Sequence, residues 1–389
     1  MARVQFIAYQ LQTAASGDMA RQDYPGLVDQ KRDIEARCKI LMDAVDATVT
    51  NSKVDSTAKK IFAAPEFFFR GGRGGVYDVE NLSYLSETMD TYLSVDKYAR
   101  WTFVLGTALA AMPVSGGRTE ILNVALIRRG GARLTGTRAR SDESNVLSVG
   151  SSETRLVYKE YVSAIDFLGP HFGDAATFLG AGAGAAQANV RGATGTLMPT
   201  SGARPTGGVA HTAMANLYNQ VHHWTPSVKL RVELASRVAA GNMTREEMVR
   251  ITTPVTFTPS EESRSGLGGG CRFTMDGLEY TVEICLDHLK QRAAGLTPAD
   301  IHLVTSCGMT PKYGNLKVNG LFFQVDGISD SEDRAWALQY TGAGFNPFEP
   351  IATINMASQR RWNRWVGEGT NLFQEGRGQV LVFPVMQSP

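Results

Sequence analysis

Seven runs in this chain are too evenly apolar to be strands with one wet face: VQFIAY (4–9), KIFAAPEFFF (60–69), TFVLGTAL (102–109), ILNVALI (121–127), YTVEIC (280–285), IHLVTS (301–306) and GLFFQV (320–325). Such runs suit a sheet covered on both faces. Between the first two, apolar Ile34, Cys38, Leu41, Met42 and Val45 recur at three- and four-residue steps, which predicts a helix over 31–47. A second helical segment is expected around 80–99. The alternation of strand and helix reads as an α/β layered fold.

Three of these apolar segments carry a polar group where the pattern asks for an apolar one. KIFAAPEFFF ends a hydrophobic strand on Glu66, TRLVYKEYV (154–162) holds Lys159 in its middle, and VEICLD (282–287) brings Cys285 to the end of a strand. Each type alone fits an inert place: a solvated loop carboxylate, an exposed strand lysine, a small core thiol. Together they suit one chemistry. A thiol needs a base to form thiolate, and Glu66 can take that proton. Attack on a carbonyl or nitrile carbon then puts charge on oxygen or nitrogen, which Lys159 and a backbone N–H beside Cys285 can hold. The protonated carboxylate can finally hand its proton to the departing amine.

With Glu, Lys and Cys in this order, the chain resembles the nitrilase superfamily of carbon–nitrogen hydrolases. The strand RVQFIAYQLQ (3–12), the helix over 34–45, the PEFFF strand end, FVLGTAL, LNVALIRRGG, the YKEY segment and EICLD fall in the family's order, over most of 1–170 and 272–330. The resemblance implies a four-layer α-β-β-α sandwich. It also implies Glu66 as general base, Lys159 as stabiliser of the tetrahedral intermediate, Cys285 as nucleophile, no cofactor, and a homodimer. The expected reaction is hydrolysis of a non-peptide C–N bond, first an amide of a small molecule, with a nitrile as the near alternative. A catalytically silent binding protein of the same fold is a further alternative, and a Cys–His peptidase is disfavoured because no His is placed as well as Glu66. A second active-site carboxylate, common in the family between the Lys and the Cys, has no obvious counterpart. Residues 161–232 contain no Glu, which leaves Asp166, Asp174, Glu233, Glu261 or Glu262.

The 389 residues are read as one domain, with a long insertion between the Lys and Cys strands at about 170–270 and a C-terminal extension at about 345–389. Half of 180–209 is Gly and Ala, which predicts a mobile loop. Beyond it 211–250 turns helical, with Thr244 and Glu247 as a capping box. A further polar loop is expected at 132–153. Phe67, Arg70, Leu286, Asp287 and His288 flank the three residues and are candidates to line the substrate site. Arg70 and Arg73 among glycines could fork onto a substrate carboxylate or phosphate, and His288 is expected chiefly to orient local backbone. His222, His223 and Trp224 lack a carboxylate or cysteine at ligand spacing, so no metal is expected. Cys38, Cys271, Cys285 and Cys307 show no C-x-x-C spacing, which argues against a zinc knuckle or a disulfide framework. Cys38 and Cys307 are read as packing residues.

A net charge of +1 without an acidic or basic block gives no field for nucleic acid or an anionic membrane. MARVQFIAYQLQ turns polar too soon for a signal peptide, and no apolar stretch is long enough to span a bilayer. A cytoplasmic protein is expected. QRRWNRW (359–365) interleaves Arg360, Arg361 and Arg364 with Trp362 and Trp365, types enriched at interface cores, so the tail is expected at the dimer contact.

Overall fold

The computed structural model describes residues 1–13, 26–131 apart from 28, 71–76, 79, 94 and 115–117, then 154–159, 271–328 apart from 313, 335–356, and 372–389 apart from 374–375, with isolated short pieces between 223 and 258. The chain opens with β1 (Ala2–Gln10) and α1 (Gln30–Val49), followed by β2 (Lys59–Ala63), β3 (Tyr77–Asp78) and α2 (Glu80–Leu93). A long hairpin of β4 (Trp101–Val114) and β5 (Arg118–Arg129) leads to β6 (Thr154–Tyr158), β7 (His223–Trp224) and β8 (Val255–Thr258). Next come β9 (Arg272–Met275), β10 (Leu278–Ile284), the single-turn helix α3 (Leu286–Leu289) and β11 (Ala299–Ser306). The chain closes with β12 (Leu316–Asp326), β13 (Ala335–Tyr340), β14 (Phe345–Phe348), β15 (Ala352–Asn355) and β16 (Gln379–Ser388).

These strands form two mixed sheets. The first runs β15-β16-β1-β2-β4-β5-β8-β7, with β3 beside β4 and β6 beside β5; the second runs β14-β13-β12-β11-β10-β9. Alternation along each strand decides what packs where. Ile7 and Tyr9 of β1, with Phe62 and Phe103, join Ile34, Leu41 and Val45 of α1 and Leu85 and Met89 of α2 in one core. Val4, Phe6 and Ala8, pointing the other way, meet Tyr280, Val282, Ile284, Leu303 and Phe323 of the second sheet. Phe6 and Phe323 stack at 4.3 Å between centroids. The continuous apolar runs thus have two dry faces, as expected, and α1 covers the predicted 31–47. Asp29 caps α1 by accepting from the N–H groups of Lys31 and Arg32. On the outer face of the second sheet the described helical cover is only α3 and a 3-10 turn at Arg292–Gly295. No helix among the described residues is long and apolar enough to cross a membrane.

Three local expectations change. His223 and Trp224, within the 211–250 region read as helical, form β7 and pair antiparallel with β8. Lys159 stands just past the end of β6 rather than inside a strand. The tail is not an addition to a finished sandwich: β16 pairs antiparallel with β1 and carries β15 on its other edge. Val380, Val382, Phe383 and Met386 are buried, so the last strand covers both cores. The Arg–Trp run at 359–365, the Thr244–Glu247 capping box, the loop at 132–153 and the Gly–Ala segment lie outside the described residues.

Candidate active site

β2 stops at Ala63, and the chain then turns sharply through Pro65 and Glu66 against three neighbours. Toward β4, the Phe67 N–H donates to Thr107 Oγ1 (2.9 Å), and the Phe69 N–H to the Thr107 carbonyl (3.0 Å). Gly106, at φ +77°, makes this approach possible, since a Cβ there would run into the Pro65 carbonyl and Phe68 Cβ. Toward the second sheet, the Glu66 N–H donates to the Ser306 carbonyl (3.3 Å), and the Thr305 hydroxyl to the Ala64 carbonyl (3.1 Å). Toward α1, Arg37 Nη1 donates to the Phe68 carbonyl (2.8 Å). Arg37 is itself paired with buried Asp33 at 2.7 Å. The carboxylate is therefore carried on a turn fixed by both sheets and a helix.

Lys159 arrives from the neighbouring strand end. By parity with Val157 its side chain faces the second sheet, and its N–H bonds the Asn123 carbonyl (2.8 Å). Lys159 Nζ donates to Glu66 Oε1 at 2.8 Å, and Asn123 Nδ2 donates to the same oxygen at 2.9 Å. Neither charged side chain has measurable solvent exposure. A buried ion pair adds little net stability over apolar side chains of equal size, because desolvation consumes the Coulombic gain. Charge held at this depth is found both at functional sites and in structural pairs such as Arg37 with Asp33.

Cys285 follows β10 in a conformation that a non-glycine residue adopts at a cost, φ 46° and ψ −103°. Its N–H donates to the Thr305 carbonyl (3.0 Å), and its own carbonyl accepts from the N–H groups of His288 (2.9 Å) and Leu289 (3.3 Å), which starts α3. Sγ lies 3.8 Å from the Cys307 carbonyl. Since Thr305 accepts from Cys285 and Ser306 accepts from Glu66, the cysteine and carboxylate turns are moored on consecutive residues of β11. Arg292 completes the link, donating to the carbonyl of Tyr158 (2.6 Å), the residue before Lys159, and to Asp287 (3.2 Å), two after Cys285. Glu66 and Lys159 thus touch directly, and the Cys285 turn is tied to the backbone beside each.

Of the flanking candidates, Phe67 (φ 63°) places its ring 5.9 Å from Lys159 Nζ and 4.5 Å from the Arg70 guanidinium carbon. Asp287 and Leu286 are buried within the α3 turn. His288 departs from the expectation that it flanks the substrate: its ring lies on the outer face of the second sheet, bonded to Glu283 (2.7 Å) and to the Lys312 N–H (2.7 Å). Arg73 and the carboxylates Asp166, Asp174, Glu233, Glu261 and Glu262 lie outside the described residues, as does His222. Burial pushes the Cys38 and Cys307 thiols well above the usual thiol range, with Glu35 next for Cys38 and Asp326 next for Cys307. None of the four cysteines is in a disulfide bond. Asn123, Thr107 and Asp326 were missed in the sequence. Asn123 had the same signal as Lys159, a polar residue in an apolar run. Asp326 receives the N–H groups of Gly308 (2.9 Å) and Met309 (3.0 Å), and so shapes the loop whose Cys307 carbonyl faces Sγ.

No family model and no curated sequence matches the chain. Among solved structures, the crystal structure of an amidase from Nesterenkonia sp. is similar over 89% of this chain and 84% of that one, at 8% sequence identity and a TM-score of 0.34. A likeness of that size carries neither fold nor activity across.

Proposed function

We propose that this protein is a nitrilase-type hydrolase that cleaves a non-peptide C–N bond, in the first place a small-molecule amide, through a thioester on Cys285. The observation that carries the reading is the buried 2.8 Å contact of Lys159 with Glu66, beside a strained strand-to-helix turn that presents a cysteine. Glu66 accepts the thiol proton and the thiolate attacks the carbonyl carbon. The oxygen, now negative, is held by Lys159 and backbone N–H. Collapse of this intermediate breaks the C–N bond as Glu66 returns the proton to the leaving amine. Water then attacks the thioester with Glu66 again as base, and the acid product leaves with Cys285 restored. Asn123, bonded to the same carboxylate oxygen as Lys159, keeps that oxygen turned to the lysine. The corresponding architecture is the four-layer sandwich, and the assembly we propose is a homodimer.

The reading is tested with Cys285→Ala and a panel of small amides and nitriles. Turnover should fall below a few per cent of wild type while the fold, judged by circular dichroism, stays intact. Retained turnover would remove Cys285 from the mechanism.

A further inference from the structure

Behind the cysteine turn, on the face of the second sheet away from Lys159, lies a buried polar cluster that the chemistry above does not use. Glu283, two residues before Cys285 on β10, and His302 on β11 point outward, because Val282, Ile284 and Leu303 point inward. His288 reaches them from α3. A carboxylate oxygen and two ring nitrogens lie within 4.8 Å of one another, the donor set of a metal site. The hydrogen bonds decide otherwise. A backbone N–H can only donate, so Lys312 fixes His288 Nε2 as an acceptor at 2.7 Å. The proton of a neutral His288 is then on Nδ1, where it meets Glu283 Oε2 at 2.7 Å. Burial, the largest influence on His288, holds it below the ordinary histidine value, which agrees with a neutral ring. A metal on Nδ1 would need that lone pair too, leaving an imidazolate. His302 Nε2 faces the same carboxylate oxygen at 3.2 Å, and its Nδ1 is bonded to the Thr281 hydroxyl (2.7 Å). Glu283 Oε1 accepts the Ala293 N–H at 2.6 Å.

What this network joins is the surroundings of Cys285. We infer that Glu283 is a positioning residue for the Cys285 nucleophile, acting through His288; the inference rests on the proposed role of Cys285. Through His288 it holds α3, whose N–H groups bond the Cys285 carbonyl. Through Ala293 it holds the turn that carries Arg292 to Tyr158 and Asp287. Through the far nitrogen of His288 it holds the segment at Lys312 that follows the Cys307 carbonyl. A positive φ at a cysteine persists only where its surroundings over-determine it, and these bonds supply that constraint from three segments. Without the carboxylate, α3 can unwind and Cys285 can relax to an ordinary conformation, taking Sγ away from the Cys307 carbonyl.

Iodoacetamide tests this without any substrate, with the rate of Cys285 labelling followed by peptide mass spectrometry across pH. In the wild type Cys285 should label before the other three cysteines. Glu283→Gln keeps the volume but sets an NH₂ against a donor, and should slow labelling at neutral pH by roughly ten-fold or more and shift its pH midpoint. His288→Leu should do the same, and His288→Asn, which keeps a donor toward Glu283, should recover most of the rate. Wild-type rate and midpoint in Glu283→Gln, or equal behaviour of the Leu and Asn variants should Glu283→Gln not fold, would overturn the positioning role alone. Preferred labelling of another cysteine in the wild type would instead take down the nucleophile assignment and this inference with it. One equivalent of zinc kept through dialysis by the wild type and lost in His302→Ala would give the cluster to a metal.

Discussion

At the scale of single residues, Glu66 has two hydrogen-bond donors on one carboxylate oxygen. Lys159 and Asn123 both hold Oε1, so in the proposed mechanism the lysine lies beside the carboxylate that takes the thiol proton. Glu66→Gln removes the base and Lys159→Met the cation. Each should lower kcat by at least ~100-fold with a smaller change in KM, the size usual for a general base or a single oxyanion donor. Steady-state kinetics on one turned-over amide would show it. A variant that changes KM alone would make that residue a binding group. Glu66, Lys159 and Cys285 were visible in the sequence because each interrupts an apolar run. Asn123 was harder to see, since its partner depends on the antiparallel register that sets Val124 opposite Tyr158 and so Asn123 beside Lys159, and register is not written in either segment alone.

At the scale of elements, β10 serves two faces at once, packing Val282 and Ile284 between the sheets and presenting Glu283 behind them. Alternation made the inward residues predictable; the outward Glu283–His288–His302 network depended on α3 folding back, which a four-residue helix does not announce. The network also sets a pH dependence. Burial raises the Glu283 carboxyl, but the bonds from His288 and His302 outweigh it and hold the group below the usual carboxylate range. His288 is depressed by burial, and His302 and Lys312 add to this against the pull of Glu283. In both cases the unfolded chain binds protons more readily than the folded one, so stability is present at neutral pH and is lost on acidification. The loss begins below about 6.5, where an unfolded His288 takes its proton, and continues below about 4.5 as an unfolded Glu283 does. Thermal unfolding midpoints should fall from pH 7 to pH 5, and His288→Asn should flatten that upper part of the curve. A wild-type midpoint constant over this interval would contradict the neutral, buried His288.

At the scale of the whole molecule, the two ends of the chain meet as neighbouring strands. The strand β16 was not legible as part of the sheet because Pro384 breaks its apolar pattern, and a proline cannot donate to a ladder. The structure accommodates it at a bulge, where the register with β1 shifts between Gln5 and Ile7. Deletion of 379–389 should therefore leave the chain unfolded, by circular dichroism and proteolysis, rather than release a soluble monomer; a folded, active truncation would contradict the placement of β16. The proposed thioester chemistry draws on all three scales, because Cys285 stands past the end of β10 in the second sheet, whereas Glu66 and Lys159 stand past the ends of β2 and β6 in the first. Intact-mass spectrometry of the protein quenched during turnover of an amide tests it most directly. An adduct of the acyl mass, mapped to Cys285 and lost in Cys285→Ala, is expected, whereas turnover with no adduct, or an adduct on Cys38 or Cys307, would contradict a Cys285 nucleophile.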